Sequence, residues 1–140
     1  MKILLATDGS RFSTRAASYL AKHRGVFGTT NEIVLLYVDP LLPRSIRVEW
    51  DPKEAARYHA EAAQAAMRSA KAALKRARLP FEEKALIGDP ASTIVDVAKG
   101  GKFDLIVMGS HGRSALGSLV LGSVTAKVIA HCTIPVLVVR

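Results

Sequence analysis

Apolar residues recur along this chain in short dense runs, separated by longer stretches in which they return every three or four positions. Five runs rich in β-branched residues predict strands: Lys2 to Thr7, Ile33 to Val38, Phe81 to Ile87, Leu105 to Met108 and Pro135 to Val139. Within them ILLA, IVLLYV, LIVM and VLVV are almost continuously apolar. A strand with one wet face alternates apolar and polar residues. A strand covered by helices on both faces does not, so these runs predict a parallel sheet buried on both sides.

The stretches between the runs read as helices. Ser13 to His23 is alanine-rich behind a polar start, and either Ser10 or Ser13 can cap its free amides. The longest helix begins at Pro52, where proline is tolerated in a first turn, and runs to about Arg78, before Pro80. Ala63, Ala66, Met67, Ala70, Ala73, Leu74 and Ala77 give it one apolar stripe that can pack on a sheet. Ala91 to Lys99 follows Pro90 and stops at Gly100-Gly101, and a last helix starts near Gly122-Ser123 and ends before Pro135.

Strand alternating with helix predicts an α/β fold, an open doubly wound sheet with helices on both faces and right-handed crossovers. With 140 residues, the chain reads as one domain, residues 1–140. In such sheets ligands bind beyond the C-terminal ends of the strands, where the strand order reverses. The loops Thr7 to Ser10, from Asp39 onward and from Gly109 onward should therefore meet at a site. Asp39 to Asp51, with Pro40, Pro43 and Trp50, reads as an irregular loop near that mouth, either a lid or a surface insertion.

Composition narrows the function classes. The sequence is 49% apolar but contains no run of eighteen apolar residues, and the opening MKILLATDGS is too short an apolar stretch for a secretory signal, so a cytoplasmic protein without a membrane partner is expected. The single Cys132 excludes an internal disulfide and lacks zinc-type spacing, which leaves it a packing role. A formal net charge of +8 raises the question of an anionic partner. The densest basic group, Lys71, Lys75, Arg76 and Arg78, falls at the end of the long helix, where cations complement the helix dipole. No aromatic residues are interleaved to stack bases, so a solvated helix face is the expected reading and nucleic acid is not the expected partner.

The chemistry concentrates in one segment, Met108-Gly109-Ser110-His111-Gly112-Arg113 through Gly122-Ser123-Val124-Thr125. It follows a strand and opens a helix. Gly109 and Gly112 can let the backbone turn and approach a ligand, while Gly122-Ser123 sets unpaired amides and a hydroxyl at a helix N-terminus, the groups that bind a phosphate. His111 titrates near neutrality as a class, yet no Ser, Cys and carboxylate pattern identifies a catalytic partner for it. The GxxxxGK[ST] loop is missing, and no second carboxylate stands ready to activate water.

The spacing Gly-x2-Gly-x9-Gly-Ser, here Gly109, Gly112, Gly122 and Ser123, resembles the motif of the ATP-binding branch of the universal stress proteins. The likeness extends from ILLATDGS with Ser13 and Ala17, through Gly88-Asp89-Pro90-Ala91 and Ile94, to DLIVMGSHGRS and IPVLVVR. That resemblance implies five parallel strands in the order 3-2-1-4-5. It also implies that Asp8 meets ribose hydroxyls, that the Val38 backbone meets adenine and that Gly109 lies beside the ribose. Gly112, Arg113, Gly122, Ser123, Val124 and Thr125 would surround the phosphates, with Thr7 and Met108 completing the nucleotide site at the strand ends. The implied ligands are ATP, or a related adenine nucleotide, and Mg2+ held mainly by phosphates and water. The implied assembly is a homodimer through the C-terminal strand. Duller roles remain open for Asp8 and Ser123 as helix caps and for Arg113 as a solvent-facing cation. The expected function is a nucleotide-binding stress-response or regulatory protein with at most slow hydrolysis and no dedicated catalytic residue. A slow ATPase or nucleotidyl-transfer enzyme and a basic nucleic-acid module stand as alternatives.

Overall fold

All five apolar runs form strands. In the computed structural model, which describes residues 1–27, 30–43, 50–113 and 121–140, β1 spans Lys2–Ala6, β2 Glu32–Asp39, β3 Glu82–Ile87, β4 Leu105–Gly109 and β5 Val136–Val139. They build one parallel sheet in the order β3-β2-β1-β4-β5. Among the described residues four helices alternate with them: α1 Arg11–Lys22, α2 Pro52–Arg76, α3 Pro90–Gly100 and α4 Ser123–His131. This is the doubly wound α/β architecture the pattern predicts, in the order the resemblance implies. None of the described helices is long and apolar enough to cross a membrane. Residues 44–49 of the expected lid or insertion and 114–120 of the glycine-rich segment lie outside the described residues.

The period of two within each strand divides the core into two layers. Ile3, Leu5, Ile33, Leu35, Tyr37 and Val107 face α1 and α2, where Ala16, Ala17, Leu20, Ala66, Met67 and Leu74 meet them. Leu4, Ala6, Val34, Leu36, Val38, Ile106 and Met108 face α3 and α4, against Ala91, Ile94, Ala98 and Val128. Ile3, Leu4 and Leu5 are fully buried, which is why consecutive positions of this central strand are all apolar. The two edges differ. β3 exposes Glu82, Glu83, Lys84, Ala85 and Ile87, whereas β5 is four half-buried apolar residues.

The helix ends show which polar residues set them. Ser10 accepts a hydrogen bond from the Ser13 amide at 3.2 Å, so α1 starts at Arg11 and Ser13 lies inside it. Asp51 receives the Lys53 amide at 3.1 Å and Asp89 the Ser92 amide at 3.0 Å, capping α2 and α3. α2 stops at Arg76, slightly short of the expected Arg78, because Arg78 adopts φ 55° and the Leu79 amide bonds the Leu74 carbonyl at 3.1 Å. α3 ends the same way: Lys102 takes φ 52° and the Phe103 amide reaches the Ala98 carbonyl at 3.1 Å. The α4 cap position is Gly122, with no side-chain hydrogen bond to the helix.

Candidate functional site

β1 and β4 are neighbours whose chains leave the sheet in opposite directions, β1 into α1 on one face and β4 toward α4 on the other. The gap opened between their ends is a cavity of about 600 Å³, within the range of about 300–1,000 Å³ typical of small-molecule sites. Thr7, Asp8, Val38, Met108, Gly109, Gly112, Arg113, Gly122, Ser123, Val124 and Thr125 all line it. A second depression of about 640 Å³ lies at the other end of the sheet, walled by Glu32, Glu82, Glu83 and Asp96 among others. Lys2 and Lys84 also line it, but the four carboxylates outnumber these two cations, so its lining disfavours an anion and the first cavity is the candidate phosphate site.

One pole of that cavity is the start of α4. Its first turn, Ser123 to Thr125, lines the space, and no side chain caps it. The other three described helices each have a capping Ser or Asp, so among the described helices α4 alone has amide dipoles that end without a side-chain acceptor. The Thr125 hydroxyl does not face the cavity as a free donor: it donates to the Gly109 carbonyl at 2.9 Å and ties α4 to β4.

The other pole is Asp8. Its Oδ1 accepts the Ser10 amide at 2.9 Å, so the carboxylate braces the loop before α1, the duller role open to it in the sequence. Oδ2 faces Gly112, where an added Cβ would stand 2.8 Å from it. Arg113 reaches back so that its Nε donates to the Asp8 carbonyl at 2.5 Å, clasping the β4 loop onto the β1 loop while the residue itself stays exposed. Thr7 lines the cavity, but its hydroxyl sits 3.1 Å from Ser13 Oγ and 3.3 Å from the Ala66 carbonyl.

The glycines are needed for room more than for turning. A Cβ on Gly109 would lie 2.6 Å from the Phe12 carbonyl carbon, so the start of α1 packs against this glycine, which also lines the cavity. A Cβ on Gly122 would lie 2.9 Å from His111 Cα, since the Gly122 amide bonds the Ser110 carbonyl at 2.8 Å. Among the described glycines only Gly9, at φ 80°, needs left-handed backbone, and its Cα face is pressed against Ala66.

The Ser110 hydroxyl lies 3.0 Å from His111 Nδ1. Ser110 is fully buried, however, so this pair presents no nucleophile to the cavity.

Pro40, read from the sequence as part of a loop near the mouth, forms one apolar wall of the slot; sequence reasoning missed the others, Leu36, Pro90 and Ile94. Pro90 and Ile94 stand four apart at the start of α3 and present one helix face to the space. The signal was there in the loop after the third strand, which the strand-end rule had not been applied to. Also missed is a polar group at the β2 wall, in which Tyr37 borders the cavity and Asp39 and His59 stand behind it. Tyr37 Oη donates to Asp39 Oδ1 at 2.9 Å, and His59 Nδ1 lies 2.5 Å from Asp39 Oδ2. Burial, then the bond to Asp39, push the Tyr37 hydroxyl up to about 12.

A parallel sheet with a cavity at the reversal of strand order is the architecture of Rossmann-like ligand-binding proteins. Residues 1–140 match the Universal stress protein family, and the chain belongs to that family. It is 38% identical to a universal stress protein of Thermus aquaticus, over 99% of this chain and 97% of that one. It is 33% identical to a second, MJ0531 of Methanocaldococcus jannaschii, over 99% of this chain and 81% of that one. The solved structure of MJ0577, from the same archaeon, superposes with a TM-score of 0.79 at 35% identity, covering 99% of this chain and 94% of that one. A universal stress protein in complex with cAMP shares the fold at TM-score 0.72 and 24% identity, covering 100% and 97% of the two chains. A family protein of Arabidopsis thaliana with AMP bound does so at 0.68 and 18%, covering 99% and 90%.

Proposed function

We propose that this protein binds ATP, or a closely related adenine nucleotide, in the cavity between β1 and β4, and that the nucleotide acts as a conformational ligand. On this reading it is a member of the ATP-binding branch of its family. The observation that carries the reading is the start of α4, capped by no side-chain hydrogen bond, facing the same space as the Asp8 carboxylate. Amide dipoles receive phosphate oxygens, and a carboxylate accepts hydrogen bonds from vicinal ribose hydroxyls. Leu36, Val38, Pro40, Pro90 and Ile94 supply an apolar slot for a flat base, with the Val38 backbone at its edge. The residues present therefore fit an adenine nucleotide. The relatives that hold cAMP and AMP support the adenine class.

Gly112, Arg113, Gly122, Ser123, Val124 and Thr125 would surround the phosphates, Asp8 and Gly109 the ribose, with Thr7 and Met108 flooring the site. Mg2+ would be held by the phosphates and water. A bound nucleotide biases the protein only so far as it prefers one conformation. Hydrolysis, if measured, is expected to be slow, because among the described residues lining the cavity Asp8 is the one carboxylate, and it already braces the loop before α1. The apolar β5 edge further supports a homodimer through that strand.

The test is calorimetric titration with ATP plus Mg2+, set against GTP and AMP. Saturable binding that prefers ATP is expected. Gly122→Val should abolish it, because the side chain would strike His111 and displace the α4 start. Binding of ATP by that variant at unchanged affinity would remove the site from consideration, and phosphate release at tens of turnovers per second would overturn the non-enzymatic reading.

A further inference from the structure

We propose that His59 is a positioning residue for the base end of the cavity, acting through Asp39 to hold the β2 wall. The inference rests on the nucleotide reading above and adds to it a residue that does not line the site.

The inward stripe of α2 is built from small apolar residues, Ala63, Ala66 and Ala70 among them. One turn earlier the stripe is interrupted by His59, whose side chain is only 18% exposed. It stands opposite Asp39, itself buried and the last residue of a strand whose interior positions, Ile33 to Val38, are all buried. Burying a carboxylate is costly unless its oxygens are bonded, and here each has a donor: Tyr37 Oη on Oδ1 and His59 Nδ1 on Oδ2. Nδ1 donates in the neutral Nδ1–H tautomer and in the protonated ring alike, so the bond requires no charge on His59.

The strand geometry gives this group its purpose. Side chains alternate along β2, so Val38 points to the cavity layer while Tyr37 and Asp39 are on the layer of α2. The Asp39 carbonyl accepts the Gly88 amide at 3.0 Å, the last ladder bond of the strand. Beyond it comes Pro40, which has no amide to continue the ladder yet lines the cavity. The direction in which the Val38-to-Pro40 wall leaves the sheet is therefore set from behind, by the Asp39 side chain. Tyr58 and Trp50 extend the support: the rings of Trp50 and Tyr58 lie 5.2 Å apart and those of Tyr58 and His59 5.4 Å apart. An apolar pair could fill the same volume, but only a directional bond fixes the wall's angle.

The experiment titrates ATP plus Mg2+ into the full chain as wild type, His59→Ala, His59→Asn and Tyr37→Phe, with a thermal melt of each. His59→Ala is expected to weaken binding about tenfold, or about 1.4 kcal/mol. His59→Asn, whose amide nitrogen stands near the Nδ1 position, is expected to retain affinity within about twofold. Alanine is the better helix former, so a role in helix stability alone would rank the two variants the other way. Tyr37→Phe should weaken binding in the same direction. Wild-type affinity in His59→Ala, or equal loss in His59→Ala and His59→Asn, overturns the proposal. Should His59→Ala fail to fold, Tyr37→Phe decides, and unchanged affinity there overturns it. A wild type that binds no adenine nucleotide would defeat the cavity reading itself, which the first titration separates from failure of the His59 role.

Discussion

Tyr37 shows how a single hydroxyl reports its surroundings. Its ionisation is raised from 10.0 to about 12, first by burial and then by the bond to Asp39. An acid whose folded value is raised keeps its proton while the unfolded chain has lost it. Its contribution to stability is therefore complete below pH 10 and is lost as pH rises toward about 12. An absorbance titration of wild type should show a tyrosinate step near pH 12 that Tyr37→Phe lacks. Other single residues were unevenly legible in the sequence. Asp8 and the glycine spacing could be read by type, because carboxylates and glycines at strand ends have few uses. His59 could not, since its partner Asp39 is twenty positions away and nothing linear links them. For Gly109 a second constraint was not legible: the packing of Phe12 against it exists only once α1 is in place.

Elements were legible to within a residue or two wherever hydrophobic pattern and punctuation agreed. The four near-continuous apolar runs are the strands β1, β2, β4 and β5, and β3 was visible as a run although its residues are mostly exposed. Their order in the sheet was not readable from the runs, because a strand buried on both faces carries no label of its neighbours; the family resemblance supplied it. Helix ends erred where sequence punctuation and geometry part. Gly100-Gly101 marks the end of α3, yet the left-handed position is Lys102, and at α2 it is Arg78. Both complete a reverse bond that glycine would make with less strain. Arg78→Gly and Lys102→Gly should each stabilise the protein by about 0.5–1 kcal/mol, read as a higher urea midpoint with unchanged slope. A fall in midpoint would mean that the lost side chains contribute more than the strain relieved.

At the scale of the whole molecule, the sheet's burial and the cavity's location follow from topology, and the proposed assembly from its rims. β5 ends in Val136–Val139, while β3 carries Glu82, Glu83 and Lys84. A second copy pairing at β5 would hide backbone groups and apolar side chains together, whereas one approaching β3 would meet charge. Sedimentation at micromolar concentration should therefore give a dimer, and Val138→Lys should return it to monomers. A monomeric wild type would remove the β5 interface.

A molecule that pairs at β5, as proposed, would act as its own chain terminator. Once two copies have joined, both outward rims are charged ones, and growth has nowhere to go. Replacing Glu82, Glu83 and Lys84 together by threonine would unblock those rims, and the expected result is a self-limited particle turned into a filament-forming one, visible as light scattering that rises with concentration instead of levelling off.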